Sequence, residues 1–165
     1  MKDSEETRDT LQEIRAAVER YFKQDNLKYI PFNERNVAKA VYGVDAKFGH
    51  ADVFFHAYKD RLVIHIMIPL NAAEEERAKV GEFILRANYG LKVGCFDFDF
   101  NDGEISYRMS IYCGNDEFAP PTYEQIDFAV VVGLSMVDRY GNALVRVMFG
   151  LVEPVDAIAA VEAED

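Results

Sequence analysis

The sequence predicts an α+β fold in which one antiparallel sheet packs against helices, in the order helix, three strands, helix, two strands, helix. Residues 4–25 carry apolar side chains at steps of three and four, the spacing of an amphipathic helix. Residues 37–69 and 93–113 are rich in β-branched and aromatic residues and largely alternate in polarity, as half-buried strands do. Capping-box spacings at 71–74 and 122–125 predict two further helix starts.

The first half of the chain supplies one helix and three strands. The helix at about 4–25 has a single apolar stripe with charged residues between its members, Leu11, Ile14, Val18, Tyr21 and Phe22. Pro31 breaks this pattern. Turn signals near Gly49 and at Asp60 then separate three expected strands, at about 37–48, 51–59 and 62–69.

A second helix and two further strands follow Pro69. Asn71 can cap this helix while Glu74 reaches back to it, and the acidic run from Glu74 suits the positive end of a helix. Gly90 supplies a left-handed stop. The expected buried face of the helix consists of Val80, Phe83, Ile84 and Ala87. The two strands are expected at about 93–100 and 104–113.

The last third of the chain is predicted to be helical. Thr122 and Gln125 form a capping box that opens a long apolar helix towards Phe149, with Gly141 as a bend or weak point within it. Pro154 starts a short helix at about 153–162. We therefore expect one domain over residues 1–165, with a core at about 5–150 and frayed acidic ends.

The charge balance limits the classes of partner. The 165 residues contain 18 Lys and Arg against 29 Asp and Glu, a net charge of -11, which repels nucleic acid and anionic lipid. The first ten residues are polar and do not resemble a signal peptide, and no segment approaches the roughly 20 apolar residues of a membrane span. Cys95 and Cys113 are expected to be reduced thiols. We expect a cytoplasmic protein without nucleic-acid or membrane partners.

The stretch GCFDFDFNDGEISYRM resembles a calcium-binding loop in part. Asp97, Asp99 and Asn101 occupy the first, third and fifth positions of that loop. The sixth position, which needs glycine, holds Asp102, and the twelfth, which needs a bidentate glutamate, holds Arg108. Phenylalanines also alternate with the acids, which is the period of a strand. A β-hairpin is therefore the better prediction.

Two registers are open to this hairpin. A turn at Asp102 and Gly103 pairs Phe98 with Tyr107 and places Asp97 opposite Arg108. A turn centred one residue earlier sets Asp99 against Glu104, a like-charge pair, so we expect the first register. The residues expected to point inward together are Phe96, Phe98 and Phe100. In this register Cys95 lies on the outer face and Cys113 on the inner, so the two should not form a disulfide.

Three histidines fall within sixteen residues. If Asp60 and Arg61 form the turn between the second and third strands, His56 lies directly across from His65 and the pair could bind a metal ion. Zinc needs a third or fourth ligand, and the neighbouring side chains offer none. We predict no catalytic residue, no metal and no cofactor, and keep a small metal-dependent or ligand-binding enzyme at these histidines as the alternative.

The second hairpin is apolar on both faces. Its predicted core face sets Val53, Phe55 and Ala57 opposite Ile68, Ile66 and Ile64. The reverse face, called the outer face below, consists of Phe54, His56, Tyr58, Val63, His65 and Met67. Either the first or the long last helix covers this face, or it binds a partner, which is a second copy of the chain or an extended segment of a client protein.

Three stretches stand out together: RAKVGEFILRANYGLKVGCFDFDFNDGEISYRMSI, MVDRY and GLVEPVDAIAAVE. They resemble the YbjN family, whose members are labelled bacterial sensory transduction regulators, and the resemblance is best over about 62–162. It implies a type III secretion chaperone-like fold with the element order given above. It also implies a protein-binding role, since secretion chaperones of this fold bind clients and are commonly dimers. No catalytic residue transfers with it.

The expected function is that of a non-enzymatic protein-binding module, a chaperone-like or regulatory factor that acts as a homodimer on an unidentified protein client or regulator. The outer face is its candidate binding surface. The metal-dependent enzyme centred on His56 and His65 is one alternative. The other alternative is a structural subunit, whose apolar face is permanently buried in a fixed assembly.

Overall fold

The computed structural model describes residues 8–115 and 117–163, and its elements follow the predicted order. The helices are α1 at Thr10–Gln24, α2 at Arg77–Gly90, α3 at Tyr123–Met148 and α4 at Pro154–Glu162. The strands are β1 at Tyr29–Ile30, β2 at Val37–Gly43, β3 at His50–Ala57, β4 at Arg61–Met67, β5 at Cys95–Phe98 and β6 at Ile105–Tyr112. The two-residue strand β1 is the only one that the sequence did not predict among the described residues. The single-domain prediction stays a prediction, and parts of both chain ends lie outside the described residues.

The strands form one antiparallel sheet in the order β1-β2-β3-β4-β6-β5. Helices α1, α2 and α3 pack on one face of it, and α4 packs on α2 and α3. Phe22 of α1 meets the ring of Phe55 edge to face at 4.8 Å. Gly133 of α3 lets that helix approach Ile66 closely, since a β-carbon there would collide with the Ile66 side chain. The hydrophobic core therefore lies on a single side of the sheet.

The β3–β4 hairpin has a register two residues away from the predicted one. Phe55 pairs with Ile64, and Ala57 pairs with Leu62. The turn is at Lys59 and Asp60, where the Tyr58 N–H donates to the Arg61 carbonyl at 2.9 Å. This register buries Leu62 completely beside Ala57. Because the slip is two residues, every side chain keeps its predicted face.

The β5–β6 hairpin adopts the register that the sequence analysis disfavoured. Phe98 pairs with Ile105, and the Asp99 N–H donates to the Glu104 carbonyl at 3.0 Å. The like-charge objection fails because the Asp99 carboxylate accepts bonds from the backbone and side-chain nitrogens of Asn101, both at 2.7 Å. Only Phe96 of the three phenylalanines is fully buried, and Phe100 lies in the loop, 60% exposed. The prediction that all three are core residues was wrong for Phe100, although its ring stays on the helix side of the sheet, against Gly81 of α2 and 4.7 Å from the Phe98 ring.

The loop between β5 and β6 is fastened to the start of α2. Gly103 has a positive φ of 80°, and its carbonyl accepts from the Ala72 N–H at 2.9 Å. Arg77 donates to the carbonyls of Phe100 and Asn101 at 3.1 and 2.9 Å. The predicted capping by Asn71 was wrong, because its side-chain nitrogen donates to the Asp102 carbonyl and a 3-10 turn, Glu74–Glu76, precedes α2.

A side chain closes the far edge of the sheet. Asn88 of α2 accepts the Phe96 N–H at 2.7 Å and donates to the Phe96 carbonyl at 2.9 Å. In an edge strand, alternate residues point these backbone groups away from the sheet, where another chain could pair with them. At Phe96 both groups are already bonded.

Helix α3 begins as predicted. The Thr122 hydroxyl accepts from the Gln125 N–H, and the Gln125 side chain accepts from the Thr122 N–H, so the capping box is complete. The helix runs without a break through Gly141, where the sequence predicts a bend or weak point. The glycine instead admits the ring of Phe48, which would lie 2.9 Å from a β-carbon at this position.

By length and composition, α3 is also the one described helix that is long and apolar enough to cross a membrane. Its best 18-residue window has a mean hydropathy of 1.2, and 39% of that window is buried in the structure. The expectation that no segment approaches a membrane span needs this qualification. The evidence for a span is weak, because the central helix of a folded core passes the same test.

Candidate protein-binding surface

The structure places all six outer-face residues together on the side of the sheet away from the helices. Phe54 and His56 lie on β3, Tyr58 follows it, and Val63, His65 and Met67 lie on β4. Five of them are half-buried by their neighbours in the sheet, and Tyr58 is 50% exposed. Within residues 8–115 and 117–163, no helix packs on this face. Neither α1 nor α3 covers it. Of the two alternatives that the sequence left open, a covering helix is therefore excluded for the described residues.

The apolar surface is larger than the sequence analysis predicted. Three further residues with outer-face positions are exposed, namely Ile30 at 61%, Val41 at 56% and Tyr112 at 57%. The alternation along β2 could have revealed Val41, because Ala38 and Ala40 face the core. The positions of Ile30 and Tyr112 on this face could not be predicted, because they depend on the pairing of β1 with β2 and of β6 with β4, which no local pattern specifies. Each of the three is paired with a charged residue on the neighbouring strand, namely Lys39, Asp52 or Arg61, so they are separate apolar positions at the borders of the outer face.

Two ion pairs lie on this side of the sheet. Lys39 lies 2.7 Å from the Asp52 carboxylate and 5.2 Å from the centre of the Phe54 ring. Arg108 lies 2.6 Å from Asp97, the ion pair that the sequence predicts, although the strand partners of these residues are Cys95 and Ser106. Both pairs are partly exposed, so each is worth no more than about 1 kcal/mol. Asp99 and Glu104 line a pocket with His65, so further carboxylates border the face on the side of β5 and β6.

The histidines are close but do not face each other directly. His56 lies opposite Val63 and His65 opposite Phe54, contrary to the prediction, yet the two rings meet edge to face at 5.1 Å. The His65 Nδ1 lies 3.5 Å from the Ser106 hydroxyl. Among the residues described, no group of three or more His, Cys, Asp or Glu side chains is placed to hold a metal ion. Two imidazoles fall short of the three or four protein ligands that zinc takes.

The histidine pair gives the fold a predicted pH dependence. Burial lowers the pKa of both rings, and the charge of His65 lowers the pKa of His56 further, while for His65 Asp97 opposes the shift and Arg108 adds to it. Since the folded-state pKa values lie below the unfolded value of about 6.5, the unfolded chain takes up protons first. We expect the free energy of unfolding to fall as the pH drops from about 6.5 towards the folded-state values.

Urea denaturation between about pH 7.5 and 5.5 measures this slope. The double variant His56→Gln/His65→Gln should flatten it, whereas His50→Gln is the matched control because this exposed histidine stands apart from the pair. Equal slopes in the double variant and the wild type would show that other groups set the pH dependence.

The family of this chain follows from a comparison of its sequence with known protein families. Residues 15–146 match the YbjN family, which is described as "Putative bacterial sensory transduction regulator". This chain belongs to the YbjN family. The match covers most of the chain, including β1 to β6 and nearly all of α3. No curated protein matches the chain significantly.

Two solved structures show the same fold as this YbjN-family chain. YbjN from E. coli, described as "a putative transcription regulator", superposes with a TM-score of 0.54 at 9% identity, over 74% of this chain and 84% of that one. A chain of the ExsC–ExsE complex superposes with a TM-score of 0.52 at 14% identity, over 81% and 94%. At these identities the likeness establishes the fold alone. The fold is type III secretion chaperone-like, as the resemblance implied.

Proposed function

We propose that this YbjN-family protein is a non-enzymatic binding module, a chaperone-like or regulatory factor that holds a protein partner on the outer face of its sheet. One observation carries the proposal: the helices lie on one side of the sheet, and an apolar face remains open on the other. Contiguous apolar surface of this kind marks interaction sites in folded proteins. The regulatory label of the family and the complex formed by the fold neighbour support a protein as the partner.

The chemistry of the outer face favours a protein over a small molecule. It is a sheet surface with aromatic rings and a histidine pair, bordered by charged side chains, which is the composition of an interface centre with a polar rim. We propose that a second copy of the chain also uses this face, so that the free protein is a homodimer. The two unpaired thiols suit a reducing compartment, and we place the proposed function in the cytoplasm.

Substitution of Phe54 by aspartate tests the proposal. A carboxylate at the centre of the face must lose its hydration when a partner covers it, so Phe54→Asp should abolish dimerisation and partner capture. Light scattering gives the mass of the purified protein, which is expected at twice 18.8 kDa for the wild type and at 18.8 kDa for the variant. Affinity capture from the native cell, followed by identification, compares the partners retained by each.

The matched control is Phe128→Asp, since Phe128 is an exposed phenylalanine on α3, 55% exposed and away from the sheet's outer face. Thermal unfolding must show that both variants remain folded. A wild-type protein that is monomeric and captures the same proteins as Phe54→Asp would contradict the proposal. So would an equal loss in Phe128→Asp, because the effect would then come from added charge.

A further inference from the structure

A groove with no assigned role lies where α3 ends. Two adjoining cavities form it, of about 380 and 440 Å³, and both are lined by Leu70 and Phe149. The first cavity is also lined by Asn71, Ala73, Glu75, Glu76 and Met148. The second is also lined by Lys47, Phe48, His50, Pro69 and Val145. These volumes fall in the range of binding sites for small molecules or single side chains. None of the six outer-face residues lines either cavity, so this end groove is a separate surface.

The apolar wall of the end groove is fixed by the way α3 terminates. The Leu151 N–H donates to the Arg146 carbonyl at 2.8 Å and the Gly150 N–H to the Val147 carbonyl at 3.0 Å, with Gly150 at a φ of 64°. This left-handed turn ends the helix and holds Phe149 just beyond it, 66% exposed. Because the backbone at Phe149 is fixed by these bonds, the Phe149 ring stays at the groove and does not turn into the core.

Two acidic residues, Glu75 and Glu76, are the charged residues that line the first cavity. One oxygen of Glu76 is enclosed and has no hydrogen-bond donor among the described residues, and the other lies against Gly150. The cations of α2 are engaged elsewhere: Lys79 lies 2.8 Å from Glu153, and Arg77 holds the β5–β6 loop. Lys47 lines the second cavity and is not among the residues that line the first. The C-terminal end of α3 adds the negative pole of a helix. An enclosed carboxylate without a donor is costly, so a cation brought beside it gains energy.

We propose that the end groove binds a protein segment carrying an arginine or lysine next to an apolar side chain. The cation enters the cavity of Glu75 and Glu76, and the apolar side chain packs on Phe149 and in the second cavity, beside Phe48, Pro69 and Val145. A partner of opposite charge also matches the net charge of -11. Two carboxylates alone offer too few ligands for a calcium ion, which takes six to eight oxygens.

The test uses three capped tripeptides: acetyl-Leu-Arg-Leu-amide, the same peptide with neutral citrulline, and the same peptide with glutamate. Each is titrated into the full-length ¹⁵N-labelled protein, and backbone amide shifts are followed by NMR. The arginine peptide should give saturable shifts at Glu75, Glu76 and Gly150. Glu76→Gln should weaken its binding about tenfold, the effect of one charge-assisted hydrogen bond. The matched control Glu34→Gln, at an exposed loop position, should bind as the wild type does.

Equal binding of the arginine and citrulline peptides would overturn the proposal, as would unsaturated or scattered shifts. An unchanged affinity of Glu76→Gln for the arginine peptide would also overturn it. If Glu76→Gln does not fold, Glu75→Gln is used for the same test. Phe54→Asp should leave the titration unaltered, so failure here is distinguishable from failure of the function proposed for the outer face.

Discussion

Replacement of Gly103 by alanine should lower the free energy of unfolding by about 3 kcal/mol or more. Two costs add at this position. The φ of 80° is strained for any residue with a β-carbon. The added β-carbon would also collide with the Ala72 carbonyl oxygen and lie 2.7 Å from the Ala72 nitrogen. Since these are backbone atoms, the loop can relieve the overlap only by giving up its bond to Ala72.

Gly43→Ala is the matched control. Gly43 lies at the end of β2 with no positive φ, and a β-carbon there would meet no other atom within 4 Å. The same change should therefore alter stability by less than about 1 kcal/mol, and it removes the same amount of backbone freedom from the unfolded chain. Urea denaturation followed by circular dichroism measures both variants. Similar losses in the two would show that Gly103 is not held against Ala72 in solution.

Replacement of Phe55 by alanine should cost about 3–5 kcal/mol, the range for emptying a buried phenylalanine site. Its side chain is 0% exposed and contacts the rings of Phe22 and Tyr21, at centroid distances of 4.8 and 6.4 Å. Phe54→Ala, one residue away on the other face of β3, should cost less than about 1.5 kcal/mol because its ring is only half-buried.

The two variants should separate stability from binding. We expect Phe54→Ala to weaken dimerisation and partner capture while the protein stays folded, and Phe55→Ala to retain both at temperatures where it remains folded. Chemical denaturation gives the stabilities, and light scattering gives the assembly state. Equal losses of stability at the two positions would mean that the outer face is covered in the free monomer, and the proposed function would lose its basis.

The helices and strands were predictable because their signals are local. The stripe from Ile14 to Phe22 and the Thr122 capping box identify α1 and the start of α3 without any tertiary information. Both hairpin registers were wrong by two residues, because a slip of two leaves every side chain on the same face and the apolar pattern cannot detect it. What decides the register is turn chemistry, such as the bonds from Asn101 to the Asp99 carboxylate, and the alternation of apolar residues carries no record of it.

The outer-face residues could be predicted for the same reason, since alternation along β3 and β4 assigns them to one side. The sequence alone could not predict that the helices leave this side of the sheet uncovered. It depends on which face α3 packs against, and that contact is set by the close approach of Gly133 to Ile66 across sixty-odd residues of chain. The end groove was missed altogether, because Phe48, Leu70 and Phe149 come from three distant segments.

The amide of Asn88 occupies part of the place that another strand would take beside β5, so extension of the sheet is hindered at that edge and freer at β1. A head-to-tail polymer joined through its strands needs two free sheet edges on every subunit. Copies of this chain that meet strand to strand through β1 therefore form a closed pair, in which an asparagine stands at each outer edge and hinders the growth of a fibre.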